Sequence, residues 1–86
     1  MAEEEREARR AVQLARAMLN HIIDEDYKRV STELNQIREL HVTAGVLKAS
    51  GLHKILDDPA FNVETFGIGN RTRTIVGAWR HKFHMT

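Results

Sequence analysis

Apolar positions recur along the first segment at Ala8, Ala11, Ala15, Met18 and Ile22, three or four apart, and Val12, Leu19 and Ile23 widen the same face. That spacing predicts an amphipathic helix over roughly Glu3 to Ile23, since residues three and four apart share a helix face. Its acidic first turn, Glu3-Glu4-Glu5, complements the positive end of the helix dipole. Asp24-Glu25-Asp26 interrupts the pattern and supplies a capping carboxylate for a second helix, whose buried stripe is Tyr27, Val30, Leu34 and Ile37. The first two helices are expected to lie antiparallel across a tight acidic loop.

Beyond Leu40 the apolar pattern breaks into short pieces. Thr43 suits the N-cap of a brief helix carrying Val46 and Leu47, and Gly51 suits a left-handed C-terminal position from which a second brief helix starts at Leu52. Asp57-Asp58-Pro59 ends it, because the residue before a proline is driven out of the helical region. Ala60 to Gly69 reads as a loop, unusually apolar in Phe61, Val63, Phe66 and Ile68. The last helix carries Ile68, Thr72, Ile75, Val76, Trp79 and Phe83, with Trp79 expected at the centre of the core against Leu34, Ile37 and Leu47. No segment shows convincing two-residue alternation, so the expected class is all-α.

Composition narrows the function. With 86 residues, 42% of them hydrophobic, the chain can build one small core, and a sizeable catalytic cavity would be hard to house. The absence of cysteine excludes disulfides, thiolate zinc sites and cysteine nucleophiles. No apolar run is long enough to span a bilayer, and MAEEEREARR lacks the apolar centre of a signal peptide, so a soluble domain is expected. A net charge of +1 argues against binding a polyanion by bulk charge.

Candidate chemistry is thin. His81 and His84 stand three apart, but no nearby Asp or Glu completes a zinc set. The carboxylate pairs Asp24/Asp26 and Asp57/Asp58 and the serines Ser31 and Ser50 fall where caps, turns and helix surfaces explain them. Gly67-Ile68-Gly69-Asn70 has neither the preceding strand nor the following Lys-Ser/Thr of a phosphate loop. The reading is therefore of a protein with no cofactor, no metal and no enzymatic activity. A basic last helix, with Arg71, Arg73, Arg80 and Lys82, offers an alternative as a small nucleic-acid-binding domain. Against it, the same helix commits Ile75, Val76, Trp79 and Phe83 to a buried face, and no Asn, Gln and Arg cluster suits base reading. The apolar late loop and the Ile22-Ile23-Asp24 hairpin are expected at the same end of the bundle, as two exposed apolar patches with a polar rim.

Leu34, Ile37, Leu40, His41-Val42-Thr43, Val46-Leu47, Ser50-Gly51-Leu52, Ile55-Leu56, Ile75-Val76 and Ala78-Trp79-Arg80 together resemble the N-terminal domain of transcription elongation factor TFIIS, also called the LW domain. The likeness runs from about Tyr27 to Phe83, with the first helix fitting by pattern. It implies a compact right-handed bundle of four or five helices with two short helices in the middle. It also implies a monomeric, nuclear scaffold of the transcription elongation machinery that binds short phenylalanine-containing motifs in disordered elongation or chromatin proteins. In the related integrase-binding domain of the lens epithelium-derived growth factor, an Ile-Asp pair and a Phe-x-Val element receive the ligand. Ile22 or Ile23 with Asp24, and Phe61-Asn62-Val63, are similar in place and type, and Phe66 joins them as a candidate partner-binding residue. Asp24 has two readings, as ligand contact or as cap of the second helix. Asp57 and Asp58 stand where that relative has basic residues, which implies a different partner preference.

Overall fold

A computed structural model describes residues 2–84 as an all-α bundle. Helix α1 spans Ala2–Ile23, α2 Tyr27–Glu39, α3 Ala44–Ser50, α4 Leu52–Ile55 and α5 Ile68–Lys82, with no strand among the described residues. Two single 3-10 turns, Pro59–Phe61 and Thr65–Gly67, occupy what the sequence reads as loop. The 22-residue α1 is about 33 Å long at 1.5 Å per residue, and it sets the longest dimension of 36 Å.

The buried face of α1 is Ala8, Ala11, Ala15, Met18 and Ile22, as the spacing predicts. Three alanines on that face let neighbouring backbones come close, and α1 makes its most extensive contacts with α2 and α3. Ile23 departs from the expectation: it is 76% exposed, because the helix has turned it beyond the edge of the buried stripe. The α1–α2 turn closes with Asp26 N–H donating to His21 O at 2.8 Å and Glu25 N–H to Ile22 O at 3.0 Å, and Glu25 takes a left-handed backbone with φ 59°. That is a Schellman-type ending with glutamate where glycine is usual. Across the turn, His21 Nδ1 and Glu33 Oε1 lie 2.7 Å apart and link the two helices.

Val30, Leu34 and Ile37 bury the inner face of α2. Thr43 caps α3 by accepting from Val46 N–H at 3.1 Å, and its hydroxyl donates to Glu4 Oε2 at 2.7 Å, so the start of α3 is pinned to the start of α1. Gly51, with φ 65°, reverses the chain after Ser50, whose hydroxyl donates to Val46 O and accepts from Leu52 N–H. Leu52 and Leu56 then enter the core that α3 alone could not close. This explains the two short helices: neither is stable by itself, and α3 contributes Val46 and Leu47 to the core while α4 contributes Leu52 and delivers Leu56 at its C-cap.

Two expectations about aromatics are corrected. The central aromatic is Phe61, 1% exposed, and not Trp79, which is only partly buried and packs against the core from its edge. The α5 stripe divides for this reason. Ile68, Thr72 and Val76 face inward, whereas Ile75, Trp79 and Phe83 flank the cluster beside the end of α2. Gly69 sits where a Cβ would meet Val63 N and Asn62 Oδ1, each at 3.2 Å, and its N–H donates to Val63 O at 2.8 Å. The first turn of α5 thus rests directly on the late loop.

Candidate functional site

The late loop is held to the bundle by Arg71. Its guanidinium donates to Ser31 Oγ at 2.6 Å, Ser31 O at 3.0 Å, Asn35 Oδ1 at 3.0 Å and Phe66 O at 3.4 Å. Ser31 and Asn35 are one helical turn apart on α2, a spacing that puts both on the same face. The planar fork of arginine suits such a set of divergent acceptors. The loop therefore lies beside the first turns of α2, the end at which the α1–α2 turn also sits.

The candidate partner-binding residues sort into two groups. Ile22 and Phe61 are core residues, 9% and 1% exposed, so their side chains hold the bundle together. Ile23 and Phe66 are the exposed large hydrophobics, at 76% and 57%. Val63 is partly buried and Asp24 exposed. Phe66 also has a left-handed backbone, φ 54°, followed by Gly67 at φ 65°. A bulky residue pays a steric penalty there, and Gly67 alone fits without strain. The reading of Asp24 as helix cap is corrected: the N-cap of α2 is Asp26, whose carboxylate accepts from Arg29 N–H at 3.4 Å and pairs with Arg29 Nε at 3.2 Å. The Asp24 carboxylate takes part in no side-chain hydrogen bond among the described residues, so it is free to accept one.

The basic residues of α5 do not share a face. At 100° per residue, Arg71 and Lys82 project to one side of the helix and Arg73 and Arg80 to the other. Arg73 donates to Asn62 and Asn70, Arg80 pairs with Asp57 at 3.0 Å, and Lys82 lies over the Phe83 ring. Among the described residues no group of three His, Cys, Asp or Glu is placed to hold a metal, and His81 and His84 are both exposed. No helix among them is long and apolar enough to cross a membrane.

One titratable group was not singled out from the sequence. His53 is 4% exposed, and its Nδ1 and the neighbouring Arg80 Nε are buried without hydrogen-bond partners. Burial pushes the His53 pKa below its ordinary value, helped by the charges of Lys54 and Arg80 and opposed by Asp57. A lone histidine between Leu52 and Lys54 carries no sequence signal of burial, because the 52–56 segment is too short to display a periodicity.

The described residues form an all-α bundle with Ile23 and Phe66 exposed. No family model matches the chain, and no curated protein or solved structure matches it either.

Proposed function

We propose that this domain is a non-enzymatic protein-interaction module that binds short phenylalanine-containing segments of disordered partners. The observation that carries the reading is Phe66, an aromatic ring left 57% exposed on a strained, left-handed backbone that Arg71 holds in place. Strained backbone conformations cluster at binding and active sites, where the strain is part of the function. Ile23 adds a second exposed apolar side chain at this end of the bundle, and Asp24 an uncommitted carboxylate. A partner's phenylalanine ring would pack on Phe66, Val63 and Ile23 while one of its backbone N–H groups donates to Asp24. The likeness of the Val42-Thr43, Ser50-Gly51-Leu52 and Trp79-Arg80 elements to the TFIIS N-terminal domain supplies the cellular setting: a scaffold of transcription elongation, working in the nucleus as a monomer.

Chemical-shift mapping with a flexible, phenylalanine-bearing peptide tests the site, at the micromolar affinity expected of a ligand that must be ordered on binding. Perturbations are expected at Ile23, Asp24, Val63 and Phe66. Asp24→Asn should weaken the peptide by about 1.5–3 kcal/mol through loss of a charge-assisted hydrogen bond. Perturbations confined to Arg71, Arg73, Arg80 and Lys82 would reject this reading in favour of a ligand on the basic helix.

A further inference from the structure

A second surface lies on another side of the bundle. Helices α2 and α5 run in the same direction: Arg71 meets Ser31 and Asn35, and further along, Trp79 and Phe83 reach the Leu40–Val42 segment. Two open clefts follow this seam, of about 380 and 340 Å³, and they share Arg38, Ile75 and Ala78. They form one groove about 20 Å long, the rise of α5 from Asn70 to Phe83. Its floor is apolar, made by Ile75, Ala78, Trp79 and Leu40, and the exposed methyl of Ala78 leaves room for a close backbone approach.

The rim has one sign of charge. Arg38, Arg71 and Lys82 line the groove, and no Asp or Glu does. None of the three makes an ion pair within the described residues: Arg71 is bound to neutral oxygens, Lys82 rests on an aromatic ring, and Arg38 makes no side-chain hydrogen bond. The acidic residues Glu3, Glu4 and Glu7 line the adjoining cleft with Thr43 and Val46, on the far side of His41, which borders both. Along the α2–α5 seam, cations from two helices flank one continuous apolar floor.

We propose that this groove docks an acidic amphipathic helix of a partner protein. Apolar side chains at i, i+3 and i+4 of that helix would lie on Ile75, Ala78 and Trp79, with carboxylates flanking them toward Arg38, Arg71 and Lys82. Three unpaired cations round an apolar floor favour such a ligand over a neutral one, which would leave the charges uncompensated, and over a duplex, which would leave the apolar floor unfilled. The groove meets the late loop at Arg71 and runs away from it toward Trp79 and Phe83, and the proposal does not rest on the Phe66 reading.

Trp79 is the single tryptophan of the chain and lines the groove, so its emission reports occupancy directly. The probe is a sixteen-residue helical peptide of glutamate and leucine with leucines at i, i+3 and i+4, set against the same peptide with glutamine for glutamate. The glutamate peptide is expected to shift Trp79 emission and to weaken as salt rises, and the glutamine peptide to bind at least about fivefold more weakly. Arg38→Glu and Lys82→Glu should each cost about fivefold, while Arg16→Glu on α1 leaves the affinity unchanged. Equal binding of the two peptides, an equal loss with Arg16→Glu, or an unmoved Trp79 would overturn the proposal. So would displacement of the peptide by double-stranded DNA, or self-association of the chain through the groove seen by sedimentation.

Discussion

The guanidinium of Arg71 donates to Ser31 Oγ at 2.6 Å and to the Ser31 carbonyl at 3.0 Å, and it thereby fastens the start of α5 to the second turn of α2. The pair spans 40 residues of chain and is partly buried, and through the Phe66 carbonyl the same guanidinium ties the second 3-10 turn to α2. Arg71→Ala should cost about 1.5–3 kcal/mol, the range for charge-assisted hydrogen bonds lost together. Arg71→Lys should recover less than half of this, because an ammonium cannot reach the Ser31, Asn35 and Phe66 oxygens from one position. Urea denaturation of the two variants decides it, and a lysine variant as stable as the parent would show that charge alone is needed.

Stability and binding should part at Phe66. With φ 54° and more than half its surface in water, Phe66 gains little from packing, so Phe66→Gly is expected to leave stability unchanged or to raise it by up to about 1 kcal/mol. The same variant should lose the phenylalanine-bearing peptide. Gly67→Ala, at φ 65°, should instead destabilise by about 1 kcal/mol. Thermal melts paired with peptide titration separate the two effects.

Phe61 and Trp79 should rank in the order opposite to the one the sequence suggests. Phe61→Ala empties a fully buried site and should cost about 3–5 kcal/mol, enough to unfold a domain of this size. Trp79→Ala removes a partly buried side chain at the edge of a groove that is already open, and should cost about 1–2 kcal/mol. Denaturant midpoints compared with the parent would reveal the order.

His53 should make stability depend on pH. Its folded pKa lies below the ordinary 6.5, so the unfolded chain binds its proton more readily than the folded one. The stability His53 contributes is therefore complete above about pH 6.5 and is lost as pH falls through that value toward the lowered folded pKa. His53→Leu, which also removes the unpartnered Nδ1, should flatten the melting temperature between pH 7.5 and 5.5 relative to the parent. An identical pH profile in both proteins would remove His53 from the account.

At the α1–α2 turn, Glu25→Gly should stabilise by about 0.5–1 kcal/mol, because glycine adopts φ 59° without the crowding of a Cβ. A calorimetric scan is sufficient. An unchanged or lowered melting temperature would mean that the Glu25 side chain contributes something the backbone geometry does not reveal.

Local chemistry determined most of the skeleton. The i, i+3, i+4 spacing in α1 and α2, the Thr43 cap and the left-handed Gly51 each act within one or two turns, so the helices and their inner faces Ala8 to Ile22 and Val30 to Ile37 can be read along the chain. The hairpin and the late loop were legible as candidates for the same reason, since apolar residues in turns stand out against polar neighbours.

Only the tertiary structure decided which of those side chains meet water. Periodicity places Ile22 and Ile23 on adjoining strips of one helix, but the edge of the contact with α2 separates a 9% from a 76% exposed isoleucine. Phe61 and Phe66, five apart in one loop, differ because the first 3-10 turn packs on α1 and the second holds its residue outward at the end of an arginine contact formed across 40 positions. Trp79 lost the centre of the core to Phe61 because α5 packs chiefly along α2 and the late loop, leaving its 75–79–83 edge over an open seam. The charge pattern was redistributed in the same way: Arg71 and Lys82 went to one side of α5 and Arg73 and Arg80 to the other, and with Arg38 from α2 the first pair surrounds a groove that no stretch of sequence contains, because its walls come from helices nearly thirty residues apart.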